Sequence, residues 1–90
     1  MEYYIVEYED RNDGVYSNKF KAENAIIAVS KFYTYWNCEG LGTKCISRAD
    51  TIEEAIAIFD KFDTNKIHIV NIYTMGNWIY CTEVEDEDSN

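Results

Sequence analysis

Alternating polar and apolar residues at the start of the chain predict an antiparallel hairpin. One strand runs from Met1 to Glu9, residues 12–14 (Asn-Asp-Gly) form the turn, and Val15 to Ala22 forms the second strand. With a three-residue loop, the register brings opposite charges together on one face and apolar side chains together on the other. The predicted cross-strand pairs are Glu7 with Lys19, Ile5 with Lys21, Val6 with Phe20, and Tyr4 with Ala22.

The middle of the chain carries two segments of helical periodicity. Residues 23–37 repeat apolar side chains at the spacing of one helical face, with Tyr35 expected outside. Thr51 and Glu54 match a capping box that opens a second helix, which ends at residues 63–66. The side chains predicted to point inward are Ala25, Ile26, Val29, Phe32, Tyr33 and Trp36 in the first helix, and Ile52, Ala55, Ile56, Phe59 and Phe62 in the second.

Two glycines, Gly40 and Gly42, interrupt the helical pattern between these segments. Because glycine disfavours the helix interior, residues 38–43 are predicted to form a loop. The residues that follow, Thr43–Arg48, are predicted to form a short strand.

A second hairpin is predicted near the C-terminus. Its strands run over residues 67–74 and 78–84, and Gly76-Asn77 forms the turn. Both faces of this pair are apolar over much of their length, which predicts a strand pair covered on both sides. One face comprises His68, Val70, Ile72, Ile79 and Cys81, and the other comprises Ile67, Ile69, Asn71, Tyr73, Trp78, Tyr80 and Thr82.

The order of elements is therefore strand, strand, helix, short strand, helix, strand, strand. This order predicts an α+β fold in which an antiparallel-rich sheet of four to five strands carries two helices on one face. Residues 1–85 are predicted to form a single domain, and residues 86–90 are predicted to form a mobile acidic tail. Two helices cannot cover both faces of such a sheet, so some of Tyr73, Trp78 and Tyr80 are predicted to form an exposed contact surface.

Acidic residues dominate the charge of the chain, which is −9 over 90 residues with a pI near 4.4. Residues 83–90 contain five acids and no base, whereas residues 1–82 contain twelve acids and eight bases. An acidic surface repels nucleic acid and anionic membranes, and it attracts basic partners. No apolar run is long enough to span a bilayer, and Glu2 and Glu7 interrupt any signal sequence, so a cytoplasmic protein is expected.

Residues with catalytic or metal-binding chemistry are few. Cys38, Cys45, Cys81 and His68 form a possible Cys₃His zinc set, but six residues separate the first two cysteines and structural zinc sites use closer pairs. The single histidine must serve any nucleophile, and no catalytic signature surrounds the cysteines or Ser47. We therefore expect a protein that is not an enzyme and needs no cofactor, with a small zinc-binding module as an alternative.

Acids on both hairpins define the candidate partner surface. The aromatic run at residues 32–36 fits the core face of a helix rather than a base-stacking platform, because the basic residues are scattered. Carboxylates fixed on two hairpins can instead imitate the phosphates of DNA, with exposed aromatic residues as anchors. The predicted partner surface comprises Glu7, Glu9, Asp10, Asp13, Trp78, Tyr80, Glu83, Glu85, Asp86 and Glu87.

In its overall character the chain resembles the small acidic accessory proteins of phages and plasmids, which include anti-CRISPR proteins and other inhibitors of host nucleases. The resemblance lies in the short length, the Asn-, Ile-, Lys- and Tyr-rich usage, the absence of proline and the acidic end EVEDEDSN. It implies a non-catalytic DNA mimic that inhibits a basic, nucleic-acid-handling host protein, such as a CRISPR effector, without binding nucleic acid itself. The alternatives are a homo-oligomeric assembly protein of a phage or mobile element, such as a homodimer that uses the open sheet face, and the zinc-binding module.

Overall fold

The computed structural model describes residues 1–10, 14–37, 40–65 and 67–81. Four strands form one antiparallel sheet in the order β2-β1-β3-β4, and three helices pack on one side of it. The predicted α+β class is confirmed, with three helices in place of two. No helix in these ranges is long and apolar enough to cross a membrane. The elements are β1 (Glu2–Asp10), β2 (Gly14–Ala22), α1 (Ala25–Asn37), α2 (Gly40–Ser47), α3 (Ile52–Phe62), β3 (Ile67–Thr74) and β4 (Asn77–Cys81).

The register of the first hairpin differs from the predicted one by two residues, so the predicted pairs are wrong. Asp10 pairs with Gly14, which has a φ of 113° that glycine adopts without strain. The other predicted turn residues, Asn12 and Asp13, lie outside the described residues. A shift of two residues keeps every side chain on its face, so the apolar pattern alone cannot distinguish the two registers. The observed pairs include Tyr3 with Lys21, Tyr4 with Phe20, Ile5 with Lys19, and Glu7 with Ser17.

Side-chain caps begin α1 and α3. At α1, Oδ1 of Asn24 accepts the backbone N–H of Ile27 at 2.9 Å. At α3, Oγ1 of Thr51 accepts the N–H of Glu54 at 3.1 Å, and the Glu54 carboxylate accepts the N–H of Asp50 at 3.0 Å. The predicted capping box is confirmed, except that the carboxylate reaches Asp50 rather than Thr51.

Helix α2 occupies residues 40–47, so the predicted loop over residues 40–43 and the predicted strand that follows it are wrong, while residues 38 and 39 of the predicted loop lie outside the described residues. Gly42 is buried against Tyr33, and a Cβ at Gly42 would lie 2.5 Å from that ring. The glycine therefore lets α2 approach α1 closely, and this packing outweighs the low helix propensity of glycine. Ile46 is fully buried on the same helix, and Oγ of Ser30 in α1 donates to the carbonyl of Thr43 at 3.2 Å.

Two β-bulges determine the faces of the second hairpin. The β1–β3 register shifts at Val70 and the β3–β4 register shifts at Ile79, which leaves each of these residues without a directly paired partner. Each bulge moves the side chains that follow it to the other face of the sheet. Trp78 and Tyr80, which were predicted to share a face, therefore lie on opposite faces. The prediction that both faces of this hairpin are covered is also wrong. Apolar residues were assigned to both faces because the alternation was counted through the bulges, where the strands change face.

The core lies between the helices and the face of the sheet that they cover, which we call the covered face. Phe32 of α1 stacks on Phe59 of α3 with 5.4 Å between ring centroids, and Tyr8 of β1 lies 5.2 Å from Phe32. Every side chain predicted to point inward from the two helices is buried or packs against this core, and Tyr35 is exposed as predicted. The fully buried side chains with the largest volumes are Phe32, Phe59, Ile46, Ile69, Ile72, Val6 and Val29.

Candidate functional site

The second face of the sheet carries none of the described helices, and we call it the open face. Its side chains form rows that cross the strands in the order β2, β1, β3, β4. We call one end of this face the aromatic half and the other end the polar half. The aromatic half comprises Lys19, Ile5, Tyr73 and Trp78 in one row with Lys21 and Tyr3 beyond, and the polar half comprises Ser17, Glu7, Asn71 and Cys81 with Val15, Glu9 and His68 beyond.

Tyr73 is held in place by Glu7 at the junction of the two halves. The Tyr73 hydroxyl donates to one carboxylate oxygen of Glu7 at 3.1 Å, and Nδ2 of Asn71 donates to the other at 2.7 Å. The hydrogen bond to Glu7, together with desolvation and the charge of the carboxylate, raises the pKa of Tyr73 above its ordinary value. The Tyr73 ring lies 4.7 Å from the Trp78 ring, with 51° between their planes. Glu7 therefore orients the aromatic pair from within the fold.

Three large side chains on or beside the aromatic half are exposed. Trp78 is 67% exposed, Tyr3 is 53% exposed and Met75 is 95% exposed. Met75 and Gly76 form the β3–β4 turn, one residue earlier than predicted, and Met75 borders two hollows of about 320 Å³ each. A cluster of exposed apolar side chains of this kind is typical of a contact surface. One hollow is lined by residues 73–78, and the other by Glu2, Tyr3, Ile5, Lys19 and Met75.

Charge is divided unevenly between the two halves. Lys19 and Lys21 place their ammonium groups over the ring of Tyr3, at 5.0 and 5.7 Å from its centroid. Glu2 lines the hollow next to them, whereas Glu9 is exposed in the polar half, roughly 14 Å along β1 from the Trp78 row. Among the described residues, the border of the aromatic half therefore combines Lys19 and Lys21 with Glu2.

The structure describes half of the residues predicted for the partner surface. Trp78 and Glu7 meet through Tyr73 on the open face, and the Glu7 carboxylate already accepts two hydrogen bonds there. Glu9 lies in the polar half, and Asp10 follows it at the end of β1. The remaining predicted acids lie outside the described residues: Asp13, Glu83, Glu85, Asp86 and Glu87.

Tyr80 does not belong with Trp78 on the open face. It pairs with Ile72 on the covered face and packs against the core. The bulge at Ile79, between Trp78 and Tyr80, places these two side chains on opposite faces of the sheet. Tyr3 was also left out of the predicted partner surface. The alternation of β1 places Tyr3 on the face opposite to that of the buried Tyr4. That signal was present in the pattern, whereas nothing in the sequence indicated the exposure of Met75.

The described members of the predicted zinc set do not converge. Cys45 is partly buried on α2, while Cys81 and His68 belong to the open face on the other side of the sheet. Cys38 lies outside the described residues. Within the described ranges, no group of three or more His, Cys, Asp or Glu side chains is placed to hold a metal ion.

Comparison of the chain with protein-family models, with curated proteins and with solved structures finds no match. The open face is therefore interpreted from its own residues. It combines an oriented aromatic pair, an exposed methionine between two hollows and a charged border. These are features of a surface that buries apolar groups of a partner and pairs with charged groups at its rim.

Proposed function

We propose that this protein is a non-catalytic binding protein that inhibits a basic, nucleic-acid-handling host protein, such as a CRISPR effector or another defence nuclease. The open face is its contact surface. One observation carries the proposal: Trp78 is exposed over two thirds of its surface, beside a Tyr73 ring that Glu7 holds in place. An aromatic pair that is already ordered loses little conformational freedom on binding, which makes it an efficient anchor.

The acidic charge of the chain supports the choice of a basic partner. A net charge of −9 attracts a positively charged protein over a distance, and the attraction weakens with salt. The acids at residues 83–88 and the exposed Glu9 supply this attraction, while Trp78 and Tyr73 supply the short-range contact. Acidic and aromatic residues therefore affect different rate constants of binding. Acidic residues control the association rate, and aromatic residues control the dissociation rate.

The test begins with capture of a partner from host lysate, followed by purification of that partner and measurement of both rate constants. Trp78→Ala is expected to raise the dissociation rate by about 30-fold or more, as for a hot-spot aromatic residue. Tyr35→Ala is the matched control, because Tyr35 is 59% exposed but lies on α1 away from the open face. Its dissociation rate is expected to stay within about threefold of the wild-type rate.

The same experiment also measures how salt changes the association rate and whether the protein competes with nucleic acid. Raising salt from about 50 to about 300 mM is expected to lower the association rate by about tenfold or more. The wild-type protein is expected to displace a labelled oligonucleotide from the partner without binding the oligonucleotide itself. Equal effects of Trp78→Ala and Tyr35→Ala exclude the open face as the contact surface. An association rate indifferent to salt, or a partner that binds no nucleic acid, excludes the proposed inhibition.

The same exposed aromatic pair fits a second candidate function, a homo-oligomeric assembly protein that buries the open face between copies. Sedimentation of the purified chain tests this candidate. Self-association that is lost in Trp78→Asp supports assembly through the open face, because a carboxylate at this position cannot be buried cheaply. A wild-type chain that remains monomeric, or a Trp78→Asp variant that associates to the same extent as the wild type, excludes it.

A further inference from the structure

We infer that the outer edge of β2 pairs with the same edge of a second copy of this chain, joining two four-stranded sheets into one eight-stranded sheet. The two edges of the sheet differ in length and regularity. Within the described residues, β2 has nine residues and pairs with β1 without a register shift, whereas β4 has five residues and a bulge. A long, regular edge strand offers a row of backbone donors and acceptors to another strand.

One hydrogen bond shows which residues of β2 point outward. Nζ of Lys31 on α1 donates to the backbone carbonyl of Lys21 at 2.6 Å, which indicates that this carbonyl points away from β1. In an antiparallel strand the N–H and C=O of one residue point to the same side, and alternate residues point to alternate sides. The backbone groups of Val15, Ser17 and Lys19 therefore point outward together with those of Lys21. Among the described residues, Lys31 donates to the Lys21 carbonyl, and the backbone groups of Val15, Ser17 and Lys19 are left for a partner strand.

These three residues define one self-complementary register. An antiparallel pair centred on Ser17 places Ser17 opposite Ser17 of the second copy, and Val15 opposite Lys19 in both directions. This ladder makes six N–H···O=C hydrogen bonds by the pairing rule for antiparallel strands, and it does not use Lys21. It also places no lysine opposite a lysine, whereas a register centred on Lys19 opposes two like charges and reaches the segment that Lys31 covers.

The side chains of β2 fit this register. Val15 is 62% exposed, and in the pair it packs on the aliphatic stem of the partner's Lys19. On the other side of the strand, the exposed ring of Tyr16 stands opposite Asn18 of the second copy. Val15 and Tyr16 therefore each gain an additional contact from the second copy. The two open faces come to lie side by side on the same side of the joined sheet, so the pairing leaves Trp78 uncovered.

Residue-resolved hydrogen exchange of the full chain tests the pairing, because only alternate amides of β2 should gain protection from it. As protein concentration rises from about 10 µM to about 1 mM, the amides of Val15, Ser17 and Lys19 are expected to gain at least about tenfold protection. The amides of Tyr16 and Asn18 bond to β1 and are expected to be protected at every concentration. Sedimentation over the same range is expected to show a monomer–dimer equilibrium. Free exchange of the three outward amides where the dimer is populated overturns the pairing, as does a monomer throughout.

Two variants of the central residue separate the backbone contact from the side chain. Ser17→Pro removes an outward N–H without removing a bond to β1, so dimerisation is expected to be lost while the circular dichroism spectrum is retained. Ser17→Ala keeps the N–H and is expected to dimerise like the wild type. Trp78→Asp is expected to leave this dimer intact, which distinguishes it from assembly through the open face. Protection of the outward amides that appears only when a different protein is added also overturns the inference.

Discussion

The two faces of β1 carry similar aromatic side chains that behave in opposite ways. On the covered face, Tyr4 and Tyr8 are buried among the helices, and Tyr8 contacts Phe32. On the open face, Tyr3 is half exposed beneath two lysine ammonium groups. The covered face is therefore fixed by packing, and changes there cost stability. The open face is fixed by a few hydrogen bonds and ring contacts, so changes there should alter binding and leave the fold intact.

The largest expected effect on stability comes from removing an aromatic ring from the core between the helices and the covered face. Phe59 is fully buried between Phe32 and Tyr33, so Phe59→Ala leaves a cavity and is expected to lower the free energy of unfolding by about 3–5 kcal/mol. Trp78→Ala on the open face is the matched aromatic truncation and is expected to cost less than about 1 kcal/mol. Urea unfolding of both variants measures the contrast. Equal losses would show that the open face is part of the folding core.

A smaller loss is expected where the helical layer is most tightly packed. Gly42→Ala places a methyl group 2.5 Å from the buried Tyr33 ring, so the ring or α2 must move, and the change is expected to cost about 1–3 kcal/mol. The sign of the effect is the test, because alanine in a loosely packed helix would stabilise by about 1 kcal/mol relative to glycine. Lys44→Ala, at an exposed position on the same helix, is the control and should change stability by less than about 0.5 kcal/mol.

The cap of α3 is worth less than either packing contact. Thr51→Ala removes the acceptor for the Glu54 N–H and is expected to lower the free energy of unfolding by about 1 kcal/mol. Thr51→Ser keeps the hydroxyl and is expected to retain most of the wild-type stability. Thermal unfolding of the pair measures the difference. A Ser variant as unstable as the Ala variant would show that the methyl group of Thr51, rather than its hydroxyl, matters.

The smallest expected effect lies on the open face and concerns the Tyr73 hydroxyl. Its raised pKa means that the folded state holds the proton more tightly than the unfolded chain. The resulting stability is present below the unfolded pKa of about 10 and is lost as pH rises from that value through the folded pKa. Glu7→Gln removes the negative charge, so the pKa of Tyr73 should fall toward its ordinary value. Carbon-13 NMR of the tyrosine ring follows the titration.

A variant without the hydroxyl provides the control for this pH dependence. In Tyr73→Phe, the part of the stability loss above about pH 10 that belongs to this group should disappear. Urea unfolding of the wild type and the variant across that range measures it. An unchanged Tyr73 titration in Glu7→Gln would contradict the role of Glu7 in holding the ring.

The local signals of the chain predicted a large part of the fold. The inward positions of α1 and α3 followed from a 3.6-residue repeat, and the Thr51 cap followed from a four-residue motif. Both depend on neighbours in sequence, so the local pattern contains the necessary information. The prediction of a loop at Gly42 was wrong because the reason for this glycine is not local. Glycine is needed in α2 because the Tyr33 ring of α1 packs against it, and the local pattern does not contain this contact.

The candidate site was only partly predictable. Trp78 was correctly expected on the uncovered face of the sheet, but Tyr80 was placed with it, because alternation was counted through a bulge. A bulge at Ile79 has no strong local signature in an apolar strand. Glu7 was expected to pair with Lys19, and instead it holds Tyr73 and Asn71 of β3, which is more than sixty residues distant in sequence.

The sequence by itself determined which side chains of β1 and β2 share a face, because the side-chain period of a strand is two and every allowed register shift of two preserves it. It also determined the helical core face, the cap of α3 and the excess of acidic charge. Only the tertiary structure decided the register of the first hairpin, the helical state of residues 40–47 and the faces of β3 and β4. Each of these depends on contacts between segments far apart in the chain, whose energies the local pattern does not record.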